Sequence, residues 1–106
     1  MSQQLRRLVP IVMGKIGSPA ISDSWSGIDA LLPLLERIRS EGGVVIIKFD
    51  GERNNDEGDF YTAAIVGQQM NGESIRIDAP TLEDALAFVI VAYARRFWNF
   101  DDAPSD

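Results

Sequence analysis

The stretch that most constrains the fold lies near the C-terminus, where residues 87–94 (AFVIVAYA) carry no charge. Thr81 precedes this stretch as a favourable helix N-cap, and Glu83 and Asp84 suit the positive end of the helix dipole. We therefore expect a helix that runs to about Trp98. Because such a helix is apolar on nearly every side, more than one layer of structure must cover it.

Three strands are predicted before this helix. The β-branched run Val44–Phe49 (VVIIKF) is typical of a strand, and residues 60–66 (FYTAAIV) form a second one. Asn71-Gly72 favours a type I′ hairpin turn, because both central positions of that turn need positive φ. The third strand then spans residues 73–78, and the sheet is an antiparallel meander.

The segments before the strands are expected to be helical in part. Apolar residues recur at helical spacing over residues 26–41, with Ser26 as a possible cap and Gly42-Gly43 as a stop. Pro33 requires this helix either to begin later than the cap suggests or to kink. Residues 1–25 are predicted as an extension, in which Pro10 and Gly14 interrupt a short helix and an extended, partly buried segment follows.

Together these elements predict one α+β domain over residues 1–106, a three-stranded antiparallel meander with helices on one face (α-β-β-β-α). Residues 99–106 are expected to be a flexible acidic tail. Val45, Ile47 and Phe49 should point toward the helices. Val44 and Ile46 then point to the other face, where the N-terminal segment or a second copy is expected to cover them.

Composition excludes several kinds of chemistry. The chain has no cysteine and no histidine, which rules out disulfides and thiolate metal sites and removes the commonest general base. We predict no cofactor, no resident metal and no enzymatic activity. The apolar run over residues 8–13 is too short for a signal peptide or a membrane span, so a cytoplasmic protein that does not bind membranes is expected.

The net charge of −6 is concentrated locally. Residues 50–59 hold five acids and one base, and the tail over residues 99–106 holds three more acids. The chain direction predicted from the strands places the 50–59 loop and the tail at opposite ends of the molecule. The loop should share its end with further acids, namely Asp23, Asp29, Asp78, Glu83 and Asp84.

Three possible functions, namely calcium binding, carboxylate catalysis and nucleic-acid binding, fail or lack support. Asp50-x-Glu52-x-Asn54 begins like an EF-hand calcium loop, but Asn55 and Tyr61 occupy positions that need glycine and glutamate. Catalytic carboxylates need an apolar pocket that raises one pKa, and nothing in the sequence encloses these acids. The element order is similar to that of double-stranded-RNA-binding domains, but their basic helix start is replaced here by acids, so nucleic acid is not an expected partner.

A small acidic α+β domain with a focused negative end resembles the immunity proteins of bacterial toxin–immunity pairs. That resemblance concerns size and charge, and it implies tight binding of a cognate basic toxin such as a nuclease. Two other interpretations stay open: a homo-oligomeric structural or regulatory subunit, and a solvated loop that only keeps the protein soluble. The predicted partner-binding residues are Asp50, Glu52, Asp56, Glu57, Asp59, Tyr61, Trp25 and Asp29.

Overall fold

The computed structural model describes residues 3–52 and 58–101, and within these ranges it confirms the predicted α+β class. Three helices and a three-stranded antiparallel sheet follow one another in the predicted order. Short 3₁₀ turns lie at Asp29–Leu31 and Gln68–Met70. The main elements are α1 (Gln3–Lys15), α2 (Leu32–Ser40), β1 (Val44–Phe49), β2 (Tyr61–Val66), β3 (Ile75–Ala79) and α3 (Leu82–Phe97).

Helix α3 is the centre of the molecule. It packs against β2 and β3 and also against α1, so the prediction that more than one layer covers it is confirmed. Its start is capped as predicted, because the Thr81 hydroxyl accepts a hydrogen bond from the Asp84 backbone N–H at 3.1 Å. The apolar residues on nearly all sides of α3 are buried for this reason.

The sheet has the order β1-β2-β3, with β1 pairing from Val44↔Val66 to Phe49↔Tyr61. Helix α2 packs against β1, and α3 packs against the other two strands, which leaves one sheet face open. Val44 and Ile46 lie on that open face and remain 52% and 46% exposed. The expectation that the N-terminal segment covers them is wrong, because α1 packs on α3 instead.

Helix α2 begins later than a Ser26 cap would place it. A 3₁₀ turn precedes it, and Pro33 sits in its first turn, where the missing backbone N–H has no intrahelical partner to lose. The helix ends in a tight link to β1. A Cβ on Gly43 would lie 2.5 Å from Ile38 Cγ2, so this position has room only for glycine.

The connection between β2 and β3 differs from the predicted hairpin. Asn71 and Gly72 both have positive φ, of 55° and 84°, as the type I′ pattern requires. The strands nevertheless end at Val66 and resume only at Ile75, so a two-residue turn is wrong. The extra residues form the 3₁₀ turn that buries Met70 completely, and this burial favours the longer connection.

The chain end beyond α3 is more ordered than a flexible tail. Asn99 adopts a left-handed φ of 55°, and the Phe100 N–H returns to the Ala94 carbonyl at 3.1 Å. Phe100 is buried in the core cluster. The predicted flexibility is therefore wrong for the start of the tail, while residues 102–106 lie outside the described ranges.

Helix α1 continues through Pro10, although the proline was expected to interrupt it. Pro10 has no N–H to donate to the Arg6 carbonyl four residues earlier. The indole Nε1–H of Trp25 donates to that same carbonyl at 2.9 Å. Since Trp25 is only 6% exposed, its side chain both fills the core and satisfies the carbonyl that the proline leaves without its helical partner.

Replacing Trp25→Phe should lower the free energy of unfolding by about 1–3 kcal/mol, because the Arg6 carbonyl then lacks its donor. Pro10→Ala restores an amide N–H at the position from which α1 itself can reach this carbonyl. The alanine should therefore stabilise the Trp25→Phe variant by about 1 kcal/mol more than it stabilises the wild type. Urea unfolding of the four proteins measures this coupling, and equal effects of Pro10→Ala in both backgrounds would contradict it.

Candidate functional site

An open cleft of about 240 Å³ lies at the loop end of the sheet. Phe49 and Phe60 contribute exposed rings to it, with 66% and 40% of their surface accessible. Phe49 packs edge-on against Tyr61, with ring centroids 5.1 Å apart. Phe49 was expected to point toward the helices, but its ring is largely exposed because it lies where the last rung of the sheet meets the loop.

Asp50 forms one wall of this cleft and organises the start of the loop. Its Oδ1 accepts a hydrogen bond from the Glu52 backbone N–H at 3.0 Å, and Lys48 Nζ lies 3.4 Å from its Oδ2. The Asp50 N–H donates to the Phe60 carbonyl at 2.9 Å, which closes the base of the loop. Glu52 itself is exposed. The cleft thus combines two exposed aromatic rings with the Asp50 carboxylate, and Glu52 follows two residues later on the exposed loop.

The other predicted site residues have different surroundings. Asp59 is half-buried beside Phe60, and Asp29 is exposed on the 3₁₀ turn before α2. Trp25, one of the predicted partner-binding residues, is buried in the core cluster. Asp56 and Glu57 lie outside the described residues. Asp50 and Tyr61 are the predicted residues that the structure brings together in the cleft.

Three acids that were expected to extend this surface are used to hold the fold. Asp84 is 7% exposed and binds Arg6 Nε through Oδ1 at 2.8 Å. Glu83 Oε2 accepts the Gly27 N–H at 2.9 Å, and Asp78 Oδ1 accepts the Thr62 hydroxyl at 2.6 Å. The acidic surface at this end of the molecule is therefore narrower than the chain direction predicted.

Sequence reasoning also missed a polar cluster at the opposite end, where α2 and α3 finish. Glu41 accepts hydrogen bonds from the Tyr93 hydroxyl at 2.8 Å, from Trp98 Nε1 at 3.0 Å and from Arg37 Nε at 3.1 Å. The Arg37 guanidinium lies 5.3 Å from the centre of the Trp98 ring. The i, i+4 spacing of Arg37 and Glu41 is visible in the sequence, but the partners on α3 are 52 and 57 residues away.

The hydrogen bonds of this cluster change its titration. Burial raises the pKa of Glu41, but the hydrogen bonds from Tyr93, Trp98 and Arg37 together bring that pKa below its ordinary value of 4.5. Burial raises the pKa of the Tyr93 hydroxyl, and the Glu41 carboxylate raises it further. A carboxyl group whose pKa is lower in the folded than in the unfolded protein stabilises the folded state when the pH is above the unfolded-state pKa. This stabilisation is lost as the pH falls through the folded-state pKa.

Glu41→Gln should lower the free energy of unfolding by about 1 kcal/mol at about pH 7, because the charge-assisted hydrogen bonds are lost. The difference from the wild type should shrink as the pH falls from about 5 to about 3, where Glu41 itself becomes protonated. Urea unfolding across this pH range tests the expectation. Glu73→Gln is the matched control, since Glu73 forms an exposed ion pair with Arg96. An equal response of both variants would contradict a special role for Glu41.

No helix in the described ranges is long and apolar enough to cross a membrane. Among residues 3–52 and 58–101, no group of three acidic side chains is placed to hold a metal ion. Comparison with protein-family models, with curated proteins and with solved structures finds no match for the chain. Its function must accordingly be argued from the surface chemistry of the cleft.

Proposed function

We propose that this chain is a non-enzymatic, cytoplasmic immunity protein that binds a cognate basic toxin through the cleft and its acidic rim. The observation that supports this proposal is the exposure of Phe49 and Phe60 in a cleft that Asp50 also lines, with Glu52 exposed two residues further along the chain. Aromatic side chains that are surrounded by charge are typical of the residues that dominate binding energy at protein interfaces.

The two kinds of residue would contribute at different stages of binding. The carboxylates attract a cationic surface over a distance of about 10 Å and speed the first encounter. The rings of Phe49 and Phe60 then lose water against the partner and slow its dissociation. An aromatic ring also attracts an arginine or lysine side chain that stacks on its face.

A basic toxin such as a nuclease suits this surface, because a cleft that holds nucleic-acid phosphates is lined with cations. An acidic protein that covers such a cleft excludes the substrate. The same carboxylates repel nucleic acid, so the immunity protein acts on the toxin and leaves its substrate free. This mechanism needs no cofactor and no catalytic residue on the present chain.

The proposal predicts that a reading frame next to that of this chain encodes a protein with a basic toxin domain, and this domain supplies the test. Expression of that domain alone should arrest growth of a laboratory bacterium, and co-expression of this chain should restore growth. The two purified proteins should form a one-to-one complex by light scattering. Normal growth with the neighbouring domain alone, or continued arrest despite co-expression, would contradict the immunity function.

Glu52→Lys should lower the association rate constant for this toxin by about three- to tenfold at low salt, and the difference should disappear at high salt. Stopped-flow mixing at several salt concentrations measures this. Glu73→Lys makes the same charge change at the opposite end of the sheet, where Glu73 forms an exposed ion pair with Arg96. An equal effect of the two variants would mean that the net charge matters and the cleft does not.

Phe60→Ala should raise the dissociation rate constant by about tenfold or more and change the association rate little. Ile11→Ala is the matched control, since Ile11 is an apolar side chain on α1 that is even more accessible, at 57% against 40% for Phe60. Surface plasmon resonance on the immobilised toxin separates the two rates. If the Phe60→Ala variant dissociated at the wild-type rate, the Phe60 ring would not be part of the interface.

A further inference from the structure

Strand β1 is an edge strand with an apolar, unbroken sequence. Its only sheet neighbour is β2 in the described part of the chain, and five of its six residues are Val, Ile or Phe. Edge strands in soluble proteins are usually protected by prolines, bulges or several charges. Here the register with β2 is continuous, and Lys48 is the one charged residue in the strand.

The backbone of β1 has hydrogen-bonding groups that face away from β2. The Asp50 N–H donates to the Phe60 carbonyl across the two strands. Because successive residues of a strand point their N–H and C=O groups to opposite sides, Val45 and Ile47 direct theirs to the outer edge. The edge therefore offers the pattern that another antiparallel strand needs.

One face of α2 runs beside this edge. Leu32, Leu35, Glu36 and Arg39 follow the i, i+3, i+4, i+7 spacing, and Leu32 is 47% exposed. A groove of about 350 Å³ separates this face from the strand, lined by Leu35, Glu36, Arg39, Gly43, Val44 and Val45. Glu36 and Arg39 form an ion pair of 3.1 Å, and each side chain is 67% exposed.

We infer that a second copy of this chain docks here, with its β1 antiparallel to the first about a two-fold axis at Ile46. Such an axis, perpendicular to the sheet, keeps the helices of both copies on one face and pairs residues whose numbers add to an even sum. The outward-facing N–H and C=O groups of Val45 and Ile47 also require a register in which the numbers of paired residues add to an even sum. Among the symmetric registers, this one overlaps residues 44–48 and keeps Lys48 at the two ends of the paired segment.

Charge complementarity favours a second copy as the occupant. The α2 face carries one acid and one base a single turn apart, and a two-fold axis brings antiparallel copies of that face together. Glu36 of each copy can then meet Arg39 of the other. Ile47 of the second strand lies opposite Val45, at the apolar side of the groove. The inference does not depend on the proposed toxin binding, since it concerns the purified chain alone.

Sedimentation equilibrium of the wild-type chain should show a reversible dimer. Ile46→Lys places two like charges opposite each other at the axis and should raise the dimer dissociation constant by at least about tenfold. Ile11→Lys on α1 makes the same change at an exposed apolar position away from the edge and should leave the dimer intact. Circular dichroism confirms that both variants fold.

A charge exchange tests the α2 contact separately. Glu36→Arg should weaken the dimer, and the double variant Glu36→Arg with Arg39→Glu should restore it, because the two-fold arrangement then pairs the same charges in reverse. If Glu36 and Arg39 affected only the surface of their own helix, neither variant would change the dimer dissociation constant.

The register is tested by cross-linking, since the chain contains no cysteine. In a non-hydrogen-bonded antiparallel pair the Cα atoms are about 4.5 Å apart, within disulfide range. Ile46→Cys should therefore oxidise to a covalent dimer, whereas Ile11→Cys should stay monomeric under the same conditions. A wild-type chain that sediments as a monomer up to its solubility limit, or equal cross-linking of both variants, would overturn the inference.

Discussion

The fold depends on Arg6, which joins three parts of the chain that are far apart in sequence. Its backbone carbonyl, which Pro10 leaves without a helical donor, accepts the indole N–H of Trp25. Its guanidinium donates to the Thr81 hydroxyl and to the Asp84 carboxylate, both at 2.8 Å. Thr81 and Asp84 form the start of α3, so Arg6 fixes α1 at the point where the central helix begins. A buried carboxylate such as Asp84 needs a partner of this kind, because leaving it unpaired costs several kcal/mol.

This arrangement also decides which acids remain available at the surface. Arg6 withdraws Asp84 into the structure, and the Gly27 backbone engages Glu83 at the same helix start. Glu52 stays exposed at the start of the loop, beside the exposed rings of Phe49 and Phe60. The acids at the α3 start therefore stabilise the fold, and Glu52 is left as an exposed acid next to the aromatic rings. The exposed rings of Phe49 and Phe60 are a stronger basis for a docking surface than the acid content of the loop alone.

The elements that could be predicted are those whose signals are local. The charge-free centre of α3, its Thr81 cap and the β-branched run of β1 each determine their structure within a few residues, and all were predicted correctly. The errors involve distant partners. Pro10 was expected to break α1, because the Trp25 donor that compensates it is 19 residues from the carbonyl it satisfies. The acidic surface was overestimated since Asp84 meets its cation from 78 residues away. Asn71 and Gly72 have the expected positive φ, but the burial of Met70 sets the length of their connection.

The cleft and the free edge of β1 share Phe49, the last residue of the strand. In the two-fold arrangement the strands run in opposite directions, so the two Phe49 residues and their clefts lie at opposite ends of the doubled sheet. A monomeric toxin presents one copy of its binding surface, so the dimer would gain no avidity for it. The paired segment, residues 44–48, stops before Phe49, so its ring stays accessible in the dimer. Dimerisation and toxin binding are thus compatible on geometric grounds, and the affinity of each cleft must come from its own aromatic rings and carboxylates.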